Sequence, residues 1–154
     1  MRARVRGDDE GAAAVEFALV SVLLFTLLFG IIQYGYGFYQ LQALSSAVHD
    51  SARLAQVGIA DCSDFVDSVK QYAEGKGLDS TLLTSLKVTY QDDAGTQLTA
   101  PERGEPLTLQ LTLTPFKLGM PFIPFPDSLS QQTQVRVEDI GVYTSTITWP
   151  GVCP

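Results

Sequence analysis

The sequence predicts an α+β protein: a long N-terminal transmembrane helix continuing into a small extracytoplasmic head, which holds a second helix and an antiparallel sheet of three to four strands. Three observations predict it. Residues 12–32, AAAVEFALVSVLLFTLLFGII, form an apolar run with a single charge, Glu16. Beyond the run, Leu41, Leu44, Val48, Ala52 and Ala55 recur at three- and four-residue steps, the period of a helix. From about residue 86 the period falls to two, most clearly where Leu107, Leu109, Leu111 and Leu113 alternate with Thr and Gln.

Residues 1–11 read as a short polar leader, too small to fold, with Arg2, Arg4 and Arg6 set against Asp8, Asp9 and Glu10. At ~1.5 Å rise per helical residue, the apolar run that follows covers roughly 30 Å, the thickness of a bilayer's hydrocarbon core. It has no polar stripe of the kind a soluble core helix carries. A cleaved signal peptide has a shorter apolar core and a small-x-small cut, whereas this run ends in GIIQYGYGFY. The arginines before the span, with Arg53 the first Lys or Arg after it, place the N-terminus in the cytoplasm and the bulk outside. The expected layout is a leader at 1–11, a transmembrane helix at 12–33, a helical extension at 34–58 stopped by Gly58, and a head at 59–154.

Gly30, Gly35 and Gly37 fall where the helix leaves the bilayer. Each costs ~1 kcal/mol relative to Ala in a helix interior, so they mark either close packing against another helix or a place for local bending. Tyr34, Tyr36, Phe38 and Tyr39 read as an interfacial aromatic belt. In the head, a second helix is expected over 63–74, with Phe65, Val69 and Tyr72–Ala73 on one side and Gly75 and Gly77 ending it. Strands are expected at 86–90, 107–114, 134–138 and 142–149, with a turn at Asp92–Asp93–Ala94–Gly95. Residues 115–127, PFKLGMPFIPFPD, hold four prolines that preclude regular structure, yet the stretch is strongly apolar. It is either a loop folded over the open end of the sheet or a docking loop, through Phe116, Phe122 and Phe125, for another subunit or the outer leaflet of the membrane.

The net charge of −7 comes from 10 Lys and Arg against 17 Asp and Glu. An acidic, Lys-poor head argues against nucleic acid or anionic lipid as its partner. Cys62 and Cys153 both fall on the exported side, where a pair bracketing a small domain reads as a disulfide. Closing that loop contributes about 4–5 kcal/mol in the chain-entropy model. The alternative is two buried thiols. The single His49 and two isolated cysteines offer no metal-ligand spacing, and no cofactor motif is present. No catalytic set emerges either. His49 and Asp50 are helix neighbours that point ~100° apart, and no serine stands in G-x-S-x-G. His49 reads as a solvent-facing or interface residue, and the protein as a non-enzyme.

The stretch RGDDEGAAAVEFALV places Gly11 just before the apolar run, Glu16 as the fifth residue after it and Phe17 as the sixth. That spacing resembles the processing site of pilins and pseudopilins. With Gly30–Ile31–Ile32–Gln33–Tyr34–Gly35, Phe38–Tyr39, Gln42–Ala43–Leu44, Ala47, Asp50, Ala52–Arg53 and Ala55, residues 7–57 resemble the TadE-like family, minor pseudopilin-type components of tight-adherence (Flp-type) pili. The chain departs from that pattern at Val22, where the family often has Pro, and at Gln33, where it often has an acid. It also departs at Tyr36 and His49, where basic residues are common. The resemblance implies cleavage by a prepilin peptidase between Gly11 and Ala12, with Glu16 and Phe17 serving processing and assembly. The new amine on Ala12 would then pair with Glu16 of a neighbouring subunit or of its own helix.

The implied partners are other pilin or pseudopilin subunits, the peptidase, the inner-membrane assembly platform and membrane lipid. The implied location is the inner membrane, single-pass, with passage into surface pili and a part in cell adhesion. The competing functional reading is a permanently anchored envelope protein whose head binds a ligand.

Overall fold

The computed structural model describes residues 8–58, 61–98, 102–119 and 123–139. The elements run in the order α1 (Asp8–Gln56), α2 (Cys62–Gly75), a 3-10 turn (Ser80–Leu82), then strands β1 (Leu83–Gln91), β2 (Gln97–Leu98), β3 (Pro106–Leu113) and β4 (Leu129–Arg136). This is the expected α+β fold. The strand expected at 142–149 lies outside the described residues. The chain divides into two compact units, one of Met1–Tyr36 with Lys117–Phe125 and the other of Gly37–Phe116 with Pro126–Pro154.

The first unit is built on the apolar part of α1. Gly11–Gln56 is long and apolar enough to cross a membrane, and the apolar window is unburied within the chain. The hydroxyls inside the run bond back along the helix: Ser21 Oγ donates to the Ala18 carbonyl at 3.0 Å and Thr26 Oγ1 to that of Val22 at 2.8 Å. Backbone and hydroxyl groups are thus satisfied within the segment, as a lipid environment demands. A Cβ at Gly30 or Gly35 would meet nothing within 4 Å, so neither glycine answers a packing need among the described residues.

Residues 117–119 and 123–125 of the proline-rich stretch belong to this unit. They have no regular structure, as the prolines dictate, and they are tied to α1. Leu118 N–H donates to Gln33 Oε1 at 2.7 Å, and Tyr34 Oη donates to the Pro124 carbonyl at 2.6 Å. The Tyr34 and Phe125 rings meet edge to face, with centroids 5.6 Å apart.

The second unit packs one face of a sheet against helices. From the later part of α1 it buries Ala43, Leu44, Ala47, Val48, Ala52 and Ala55, the expected stripe broadened by small residues, with Leu41 half-buried beside it. Helix α2 adds Phe65, Val66, Val69 and Ala73 to the same core. It starts at Asp61, whose carboxylate accepts from Ser63 N–H at 2.7 Å. It ends in a Schellman turn, with Leu78 N–H on the Ala73 carbonyl, Gly77 N–H on that of Glu74, and Gly77 at φ +80°.

The sheet order is β2-β1-β3-β4, antiparallel throughout. Strand β3 is flanked on both sides. Its four leucines are fully buried while Thr108, Gln110 and Thr112 stay half-exposed on the far face. In β1 the buried positions are Leu83, Leu86, Val88 and Tyr90, and an irregularity between Leu83 and Ser85 accounts for the odd first step.

Strand β4 differs from expectation, occupying 129–136 instead of 134–138. Its inward positions run Leu129, Gln131, Thr133, Val135, and only the first is fully buried. The edge location lets polar residues face inward, which hides the alternation. Val137 follows the strand and is itself buried, its N–H on the Glu105 carbonyl at 3.0 Å.

Candidate functional site

Gly11, Ala12, Glu16 and Phe17 all lie in the first turns of α1. Helical spacing puts Ala12 and Glu16, four apart, on one face. Every residue from Gly11 to Val20 is exposed, Phe17 at 74%. Glu16 makes no hydrogen bond or ion pair among the described residues, so its carboxylate is open to a partner outside the chain. The 11–12 peptide sits about one turn into α1, which starts at Asp8. A Cβ at Gly11 would meet nothing within 4 Å. The glycine there costs the helix ~1 kcal/mol relative to Ala, which eases local unwinding.

The expected docking residues are described in part. Phe116 is 53% exposed, Phe125 turns onto Tyr34, and Phe122 lies outside the described residues. What sequence reasoning missed is the pairing of loop and helix at Gln33 and Tyr34. Gln33 is 4% exposed, and its carbonyl oxygen takes the Leu118 amide. Its only sequence signal was a neutral amide at the very end of a long apolar run.

Cys62 opens α2 and packs half-buried against the core, while Cys153 lies outside the described residues. His49 is exposed on α1, with its Nδ1 3.2 Å from Thr133 Oγ1 of β4. Three aspartates, Asp61 and Asp79 exposed and Asp92 half-buried, act as local braces. Hydrogen bonds from the Ser63 hydroxyl, then from the Ser63 and Asp64 amides, hold the Asp61 carboxyl below the usual carboxylate range. The Thr81 hydroxyl and amide do the same for Asp79, and the Thr96 amide leads for Asp92. A shallow cleft at the sheet's end is lined by Asp92, Asp93, Gly95, Pro106 and Arg136, with Arg136 Nη2 3.6 Å from Asp93 Oδ1. Among the described residues no group of three or more His, Cys, Asp or Glu side chains is placed to hold a metal ion.

The arrangement therefore offers a bare apolar helix with one open acid near its start. A family model decides what it resembles. Residues 11–53 match the TadE-like protein family. The match starts on Gly11, takes in Glu16 and Phe17, and runs through the glycine-rich exit to Arg53. It covers a little over a quarter of the chain and stops short of α2 and the sheet. No curated protein and no solved structure matches. The TadE-like segment associates the chain with pilin-like proteins of Tad pili, and its single apolar helix fits a single-pass membrane protein.

Proposed function

We propose that this protein is a minor pilin or pseudopilin needed to assemble a tight-adherence (Flp-type) pilus. The observation that carries the reading is the TadE-like match over 11–53, together with the exposed Glu16 inside it, which has no partner among the described residues. The chain is inserted with its arginine-bearing leader in the cytoplasm and its head outside. A prepilin peptidase then cuts between Gly11 and Ala12, and the amine released on Ala12 takes Glu16 as its counter-ion. A desolvated ammonium left unpaired is costly, so the pairing, made with a neighbouring subunit, favours aligned stacking of helices. Ala12, Ala13, Ala14 and Ala18 are small and let helices approach closely at this end.

The folded second unit supports a minor role, since a bulk fibre subunit needs little beyond the span. The pair Cys62 and Cys153 would close as a disulfide on the exported side. Partners are other pilin subunits, the peptidase and the inner-membrane assembly platform, with no catalytic role for this chain. N-terminal mass spectrometry on protein from membranes and from sheared filaments is the test. Ala12 as first residue is expected in both. An intact leader in cells that possess the peptidase would instead favour a permanently anchored envelope protein with a ligand-binding head.

A further inference from the structure

We propose that residues 117–119 and 123–125 form a membrane-interface anchor, laying Leu118 on the headgroup–acyl boundary of the leaflet from which α1 emerges. The inference rests on reading residues 12–32 as a bilayer span. Its first support is depth. The loop is tied to α1 at Gln33 and Tyr34, through Leu118 N–H and the Pro124 carbonyl. These residues directly follow the apolar run, and at ~1.5 Å rise per residue they lie within a few ångströms of its end along the axis. A span that fills the hydrocarbon core therefore fixes the loop at the interface. Leu118 and Pro124 are thus both attached to α1.

The second support is the polarity of the loop's backbone. Pro121 and Pro124 within it, and Pro115 and Pro126 beside it, carry no N–H to satisfy. Leu118 N–H and the Pro124 carbonyl are already bonded to Gln33 and Tyr34. That lowers the cost of placing irregular backbone where water is scarce. The third is continuity. Leu118 is 39% exposed, and on α1 Ile31 and Tyr34, three apart on the helix, are exposed as well. This apolar and aromatic surface prolongs the lipid-facing surface of the span, at the level where tyrosines partition. Lipid, already around the span, is the occupant that this continuity selects.

The test uses the full chain reconstituted in phosphatidylcholine vesicles, with Trp149→Phe as background and a single reporter, Leu118→Trp. Leu23→Trp in the span and Gln71→Trp on α2 are the references. Lipid brominated near the headgroup is expected to quench the reporter at 118, and aqueous iodide to lose its effect there. Deep-brominated lipid quenches at 23, and iodide alone quenches at 71. A reporter at 118 that iodide quenches as fully as at 71 would overturn the proposal. So would one shielded from iodide yet untouched by brominated lipid, which would mean a protein cover. Iodide quenching at 23 would instead overturn the bilayer span itself. Adding Gln33→Leu and Tyr34→Phe together should restore iodide quenching at 118 while leaving 23 unchanged. Unaltered lipid quenching in that variant refutes the clamp.

Discussion

Tyr39 Oη donates to the Lys76 carbonyl at 3.1 Å and stands where a side chain on Gly77 would have to go. The hydroxyl from α1 thus closes over the turn that ends α2, and the glycine serves two needs at once: a left-handed φ of +80° and room for the phenol. Gly77→Ala should destabilise by about 1–3 kcal/mol, combining left-handed strain with the collision. In a Tyr39→Phe background the same change should cost less, because the colliding oxygen is gone. Denaturant unfolding of the four members of this cycle in detergent measures the coupling, and strict additivity would show that the two residues do not meet.

The Gln33–Leu118 bond makes a separate prediction. Gln33→Leu leaves a loop amide without its acceptor, a loss of about 1–3 kcal/mol local to that contact. Hydrogen exchange of a peptide covering 117–119 should accelerate, while exchange in β3 stays unchanged. Gln33→Glu retains an acceptor oxygen and should keep much of the protection. Equal exchange in wild type and Gln33→Leu would mean the bond is not formed.

The core of the second unit is best probed in β3. Leu109 is fully buried opposite Val88, in a strand paired on both sides. Leu109→Ala should cost 2–5 kcal/mol, roughly, by lost transfer energy and the cavity left behind. Thr108→Ala, on the half-exposed face, should cost under ~1 kcal/mol. Parallel thermal unfolding curves check the contrast.

These residues also show what the sequence made legible. The Leu–Thr alternation of β3 and the three–four spacing of α1 are direct images of one-sided burial, so both elements and their inward faces could be read from the chain. Strand β4 could not be placed, because an edge strand keeps Gln131 and Thr133 half-buried and its pattern lacks contrast. The short β2 depends on Asp92, whose carboxylate takes the Thr96 amide at 2.6 Å to turn the chain back on β1. Two residues are too few to show a period. Glu16 and Gly11 were visible as chemistry, an acid and a glycine at a fixed spacing. The Gln33 clamp joins residues 85 apart, and only the fold brings them together.

Acid should weaken α2 through Asp61. Its folded carboxyl is held below the ordinary value by hydrogen bonds from Ser63 and the Asp64 amide. The unfolded state therefore takes up the proton first as pH falls. The cap's contribution is complete above the ordinary carboxylate range and disappears as pH drops through the lowered folded value. Asp61→Ser keeps a capping oxygen without a charge, so its stability should decline less steeply between neutral and strongly acid pH than that of the wild type. Unfolding midpoints followed by circular dichroism across that range decide it, and superimposable pH profiles would rule out the cap as a contributor.

On the proposed function, Glu16→Gln separates processing from assembly. The amide keeps the shape and a hydrogen-bond acceptor but removes the charge that an Ala12 ammonium needs in an apolar setting. Gly11 and the first turn are untouched, so mass spectrometry should still find Ala12 at the N-terminus of the membrane-bound protein. Recovery in sheared filaments should fall sharply. Glu16→Asp, which keeps the charge on a shorter side chain, should fall between that variant and the wild type, so the response is graded by charge and then by distance. If the Glu16→Gln protein enters filaments at the wild-type level, the ion pair is not what aligns the helices, and close packing of the small residues Ala12, Ala13, Ala14 and Ala18 must supply the register instead.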